Sequence, residues 1–166
     1  MKLLGMLLLT LSGGGIGWFR AAALQRRATS LSAVYRLIVW LSTRLRYTAA
    51  PAGQLLKQAA SGEFSRLSLL QELDGQKTTP FPEAWRNAVA ASEKENRFTP
   101  EDSRLLLEFG EGLGTTDLLG QEAHGEMYAA LFRERWESAD AEARAKGRME
   151  MVLWLSGAAA LSLLLI

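Results

Sequence analysis

Along residues 24–45 the apolar positions fall at helical intervals. Leu24, Leu31, Val34, Ile38, Leu41 and Leu45 are separated by 7, 3, 4, 3 and 4 residues. Alternating threes and fours keep one stripe of a helix turned toward a partner, as in a coiled coil. Arg26, Arg36, Arg44 and Arg46 lie off the stripe, and Arg27 interrupts it. The pattern predicts one long helix to about Tyr47, broken at "TAAP", where Pro51 disfavours helical geometry at Ala50 and can itself open the next helix. Shorter helices are predicted over 51–60, over 63–73 with Phe64, Leu67 and Leu70 on one side, and over 82–94 with Trp85 and Val89 one turn apart. Thr99-Pro100-Glu101-Asp102 is a start signal: threonine caps, proline takes the first helical position, and the acids favour the positive end of the dipole. That helix carries Leu105, Leu106 and Phe109 on its apolar face.

From Asp117 onward Tyr128, Phe132 and Trp136 recur every four residues, with Met127 and Leu131 widening the face. A helix over 117–166 would hold 50 residues, about 75 Å at ~1.5 Å per residue. Gly120, Gly125 and Gly147 are its candidate bends. No stretch alternates convincingly with a period of two, so strands are not expected. The expectation is an all-α fold in which the first and last helices pack side by side and carry the small helices between them.

The two ends differ in character from the middle. Residues 3–19, "LLGMLLLTLSGGGIGWF", and residues 151–166, "MVLWLSGAAALSLLLI", are uncharged. Both are near the lower limit of about 17 residues for a membrane helix, and the competing reading for each is a core helix. Arg20, Arg26 and Arg27 follow the first run, and Arg144, Lys146 and Arg148 precede the second. The excess of cations on that side predicts a helical domain over 20–150 in the cytoplasm, between an N-terminal and a C-terminal transmembrane helix. Trp18 falls at the inner edge of its segment, where indoles favour the interface; Trp154, one turn in, fits less well. Ala21-Ala22-Ala23 is the nearest approach to a signal-peptidase site, and it follows Arg20.

Charge is balanced overall, 19 basic against 18 acidic groups, but unevenly placed. Eight Lys or Arg and no carboxylate precede Glu63; from there on, eleven basic groups face eighteen acidic ones. Such segregation calls for internal pairing or for a basic part facing anionic lipid or an acidic protein; its place beneath a membrane segment argues against nucleic acid. Cysteine is absent, which removes disulfides, thiol nucleophiles and thiolate metal sites.

"FGEGLGTTD", residues 109–117, raises the one question of chemistry. A phosphate loop needs a preceding strand and G-x-G-x-x-G, or a P-loop with its lysine. Here Gly110, Gly112 and Gly114 follow a helical segment, no lysine follows, and Glu111 and Asp117 would repel a phosphate. A helix–helix corner accounts for each residue type. Glycines stop one helix, Thr115 or Thr116 caps the next, and Asp117 complements the dipole in its first turn. His124, the only histidine, is expected on the surface or partly packed, since no second ligand surrounds it. Glu101, Asp102, Glu108 and Glu111 are read as a solvated helix face and its caps. No catalytic, cofactor or metal residues are assigned, and no cofactor is expected.

At "KLLGMLLL", "GGGIGW", "PAGQLLKQ", "PFPEAWRNAV" and above all "FGEGLGTTDLLGQ", the chain resembles the stage III sporulation protein AB family of endospore-forming Firmicutes over essentially its full length. Members are similar to the cytoplasmic domains of inner-membrane platform proteins of type II secretion and type IV pilus systems. The resemblance implies a non-catalytic, membrane-anchored scaffold in the channel complex joining mother cell and forespore, facing the mother-cell cytoplasm. Implied partners are membrane lipid, other membrane subunits and the complex's secretion-type ATPase. The rival expectation is a platform subunit of a secretion or pilus machine outside sporulation; a small membrane-associated hydrolase using His124 or Glu111 is a third. Candidate docking residues are Glu111, Thr116, Asp117 and Gln121 at the corner, with Arg36, Arg44 and Arg46 on the first helix. Family members commonly carry acidic residues before the tyrosine of that helix, whereas "WLSTRLRY" has Ser42, Arg44 and Arg46, so this surface has inverted charge.

Overall fold

A computed structural model describes the backbone of residues 2–48, 50–76, 78–115 and 117–164, with side chains over 21–48, 50–76, 78–115, 117–147, 149 and 152–153. Every regular element among the described residues is a helix: α1 (Lys2–Tyr47), α2 (Ala52–Ser61), α3 (Ser68–Gly75), α4 (Phe81–Asn96), α5 (Pro100–Gly112) and α6 (Leu118–Leu164). The all-α expectation holds.

The two long helices form an antiparallel pair, and the stripe on α1 is the reason. Leu31, Val34, Ile38 and Leu41 are all buried, as are Tyr128, Phe132, Ala139 and Ala143 on α6. Four contacts fix the register. Arg46 pairs with Glu122; Ser42 lies against Gly125, where any side chain would overlap its hydroxyl. Tyr35 stacks on Trp136 with ring centroids 5.9 Å apart, and Arg27 lies 3.9 Å from Glu142. As α1 advances, its partner on α6 recedes by a matching number of residues, so neither helix drifts or bends away. The expected bends at Gly120, Gly125 and Gly147 are therefore not breaks, since α6 is continuous through all three. Gly125 instead lets the two backbones approach.

The four short helices hang on one side of this pair. α3 packs on α4, α4 on α5, α2 on α3, and α5 returns to α6. Trp85, Phe109, Leu55, Leu56, Leu69, Leu70 and Leu106 fill the space between them, each nearly or fully buried. Trp40 of α1 meets Phe64 edge-on at 6.1 Å, tying the group to the pair.

Two sequence expectations need correction here. The helix predicted over 63–73 begins only at Ser68. Phe64, Ser65 and Leu67 donate their amides to Ala59, Gly62 and Phe64 carbonyls in a run of turns, while Ser68 is buried and accepts from Asn96 Nδ2 at 2.8 Å. Phe64 and Leu67 are buried nonetheless: the apolar pattern located the core, not the helix start. The helix predicted over 82–94 runs two residues further, because Asn96 is buried and bonds the Ser92 carbonyl, and it ends on Arg97 in left-handed geometry (φ 57°).

Among the described residues no helix is long and apolar enough to cross a membrane. The expected spans, 3–19 and 151–166, fall on segments whose side chains, apart from Val152 and Leu153, lie outside the described residues; their backbone is helical through 164.

Candidate docking surface

The glycine-rich corner lies where α5 hands over to α6, level with the end of α1. Only Gly114 serves the turn itself: its φ of 77° is the sole positive glycine φ among the described residues. Gly110 lies inside α5 and does not stop the helix as expected, whereas Gly112 is its last residue. They are vacancies. A Cβ on Gly110 would overlap the Trp85 indole, and one on Gly112 would overlap the His124 imidazole. With nothing in its way, Trp85 donates Nε1–H to the Leu106 carbonyl at 2.8 Å.

The last carbonyls of a helix have no partner within it, and here α6 supplies them. His124 Nε2, 2.9 Å from the Phe109 carbonyl, donates to it. Gln121 Nε2 donates to the Gly112 carbonyl at 2.9 Å, while its Oε1 accepts from the Gly114 amide at 3.1 Å. Asp117 accepts from the Gly120 amide at 2.9 Å and so caps α6 just outside its first turn, rather than sitting within it. Thr115 hydroxyl turns back to the Gly112 carbonyl; Thr116 lies outside the described residues. The imidazole stacks on Phe109 (5.5 Å, 10°) and meets Tyr128 at 4.7 Å, the partly packed role expected for it. Burial pushes the Tyr128 hydroxyl above its ordinary value, with the Glu108 carboxylate adding to the effect.

The residues singled out for docking therefore divide. Gln121 is buried and Asp117 is engaged as a cap, so both build the joint. Glu111 stays exposed, 3.9 Å from Arg86. The first turn of α6 leaves Leu118 and Leu119 to solvent, 52% and 75% exposed. On α1, Arg46 is engaged by Glu122 and lies 3.9 Å from Glu126. Arg36 and Arg44 are exposed and take no ion pair among the described residues; Arg44 lies over the Trp40 ring at 5.2 Å. The structure thus brings the corner residues and Arg46 to one end of the pair, and leaves Arg36 and Arg44 on the outer face of α1.

One cluster escaped the sequence reading. Asp102 keeps the helix-start role expected of it but is fully buried rather than at a solvated face. It completes a capping box with Thr99 and is gripped by Arg27, Nε to Oδ2 at 2.8 Å and a terminal amine to Oδ1 at 3.1 Å. Arg135 of α6 stands 3.9 Å away. Burial alone would raise the Asp102 carboxyl; the Arg27 hydrogen bonds and the Thr99 amide outweigh it and hold the group below the usual range. The Asp102 hydrogen bond raises the Arg27 guanidinium against its own burial. The only signal in the sequence was the arginine that broke an otherwise apolar stripe. That arginine is in register with the start of α5 and cross-links three helices.

Elsewhere, a groove of about 200 Å³ runs between α2, α3 and α4 over Leu56, Leu70, Leu73 and Phe81, with Lys57 and Asp74 at its edge. No group of three metal-ligating side chains occurs among the described residues.

No curated protein and no solved structure matches this chain. The family described as stage III sporulation protein AB matches residues 2–166, glycine joint and long paired helices included, and the chain belongs to that family.

Proposed function

We propose that the protein is a non-catalytic scaffold anchored in the mother-cell membrane by both ends, part of the mother cell–forespore channel, and that it docks the channel's secretion-type ATPase at the tip farthest from the bilayer. Family membership brings the role in sporulation. The observation that carries the rest is the fixed antiparallel register of α1 and α6. Position 46 faces 122, 42 faces 125, 35 faces 136 and 27 faces 142. Continued along both helices, that register sets 19 against 150, so the two uncharged runs start at one level and leave the body together. Met149, Val152 and Leu153 are all more than half exposed at that level, as apolar side chains entering lipid would be. The exposed Arg26, Arg144 and Lys146 then lie toward the headgroup zone on the cytoplasmic side.

The tip is the docking end. Leu118 and Leu119 are exposed in the first turn of α6, a small apolar patch at the same end of the pair as the exposed Glu111. The chain has no cysteine, so single cysteines report topology without background. With the chain expressed in the plasma membrane of non-sporulating cells, an Ile166→Cys tail should react with a membrane-impermeant maleimide, and a Ser138→Cys body only after the membrane is opened. The reverse pattern, or equal labelling of both, refutes the two-anchor arrangement. For docking, Leu119→Asp should abolish co-purification of the ATPase with the full chain while leaving its melting temperature unchanged.

A further inference from the structure

The basic character of the first part of the chain is only partly spent inside the molecule. Arg27 and Arg46 find carboxylates on α5 and α6. Arg36 and Arg44 are exposed and take no ion pair among the described residues. They belong to a strip. Arg36, Trp40, Arg44 and Tyr47 are spaced by 4, 4 and 3 residues, which on a helix keeps all four within about 80° of one another. Arg44 lies over the Trp40 ring at 5.2 Å, and the indole is held edge-on to Phe64, half-buried, so the centre of the strip is fixed in place. Tyr47 at its end is 76% exposed. Val39, which lines the groove between α1 and α6, is on another side of the helix. Tryptophan, tyrosine and arginine are the residue types that dominate binding energy at protein interfaces.

The charge and position of the strip select its occupant. Arg36 lies 17 residues beyond position 19 and Arg44 lies 25, about 25 and 38 Å along a helix leaving the bilayer. The Debye length at physiological salt is about 8 Å, so anionic headgroups do not reach either one. Duplex nucleic acid presents a charge every ~1.7 Å of its axis, whereas these two cations stand about 12 Å apart. The chain from Glu63 on, with eleven basic against eighteen acidic groups, would repel the rest of such a strand. A helix with carboxylates eight residues apart repeats the same ~12 Å, and the residue midway between them meets the indole.

We propose that the strip of Arg36, Trp40, Arg44 and Tyr47 binds an acidic helix of another protein, one carboxylate on each arginine and an apolar side chain between them on the Trp40 face. This is a second docking surface beyond the leucine patch of the tip, and its exclusion of lipid rests on the two-anchor reading above. Each guanidinium can hold its carboxylate by two parallel hydrogen bonds, which fixes geometry as well as attraction. Recognition of acidic segments by arginine clusters is a recurrent mode of peptide binding, and association steered by charge weakens as salt rises.

Photo-crosslinking in sporulating cells tests this. The full chain carries p-benzoylphenylalanine in place of Tyr47, the cells are irradiated, and the adduct is taken from floated membranes and its cross-linked segment read by mass spectrometry. A protein adduct at a helix with that spacing of carboxylates is expected. Arg36→Glu with Arg44→Glu should lower its yield at least fivefold at an unchanged melting temperature, and reversing the partner's two carboxylates to arginine should restore it. If the reversed pair lowers the melting temperature, Arg36→Gln with Arg44→Gln takes its place and is held to the same loss. Leu119→Asp should leave the yield unchanged. Absence of the adduct from floated chain overturns the inference, as does an adduct to nucleic acid, to lipid or to a second copy. So does a yield indifferent to the arginines, one lost with Leu119→Asp, or one that reversed partner charges do not restore; all of these leave the anchors standing. Rejection of the anchors by cysteine labelling brings lipid within reach of the strip and removes both readings together.

Discussion

Gly110 carries Trp85 on its bare backbone, and the hydrogen bond from the indole to the Leu106 carbonyl depends on that bareness. Gly110→Ala gains about 1 kcal/mol of helix propensity but must displace a buried ring in a packed core, at about 1–3 kcal/mol, and it strains a bond worth about 1 kcal/mol. Clash outweighs propensity. Full-length protein in detergent should lose roughly 1–3 kcal/mol in a urea titration, and an unchanged midpoint would mean the ring is not seated there. Asp102→Asn keeps a capping acceptor yet leaves Arg27 without its charge partner, a loss of about 3–5 kcal/mol for a buried pair. The pH dependence follows from the same residue. Its folded pKa lies below the unfolded value, so its contribution is complete above about pH 4 and disappears as pH falls through the folded value. Wild type should lose stability with acidification below about pH 4, and Asp102→Asn should show a shallower acid limb in melts taken from pH 7 to 2.

At the scale of elements, the caps decide. Asp117→Ala removes the acceptor for the Gly120 amide and should lower stability by about 1 kcal/mol, without altering the fold by circular dichroism. Arg97 ends α4 at φ 57°, a geometry costing a side-chain-bearing residue about 1–2 kcal/mol. Arg97→Gly relieves that cost against greater freedom in the unfolded chain, so a rise of up to about 1 kcal/mol is expected in the same titration. These ends also show what the sequence could and could not reveal. The start of α5 was legible because Thr99, Pro100 and Asp102 act locally, through bonds spanning three residues. The start of α3 was not, because Ser68 is held by Asn96, 28 positions away, and no local pattern encodes that partner. The glycine run was legible as a corner but misread in detail. Two of its three glycines answer to Trp85 and His124, whose closeness is a product of the tertiary fold. Arg27 was visible as an anomaly in an apolar stripe, yet its meaning waited on α5 coming alongside.

At the scale of the whole molecule, α1 and α6 join regions seventy residues apart in the chain, and most of α1's buried face looks onto α6. Truncation after residue 115 would uncover Leu31, Val34, Ile38 and Leu41, all nearly fully buried. Such a chain should aggregate on extraction, seen as loss of the monodisperse peak in size exclusion, whereas removal of residues 152–166 should leave the body folded. The overall plan of two long helices bearing four short ones was legible because the seams at 24–45 and 128–136 are long and strongly periodic. Which residues meet at the tip was not. The same pairing has a mechanical consequence. With both rods unbroken and locked to each other at four levels, the body has no hinge between its far tip and the ends of its helices. A sideways pull at Leu118 and Leu119 is not absorbed on the way; it emerges some tens of ångströms off as rotation of the entire pair, as in a lever without a joint.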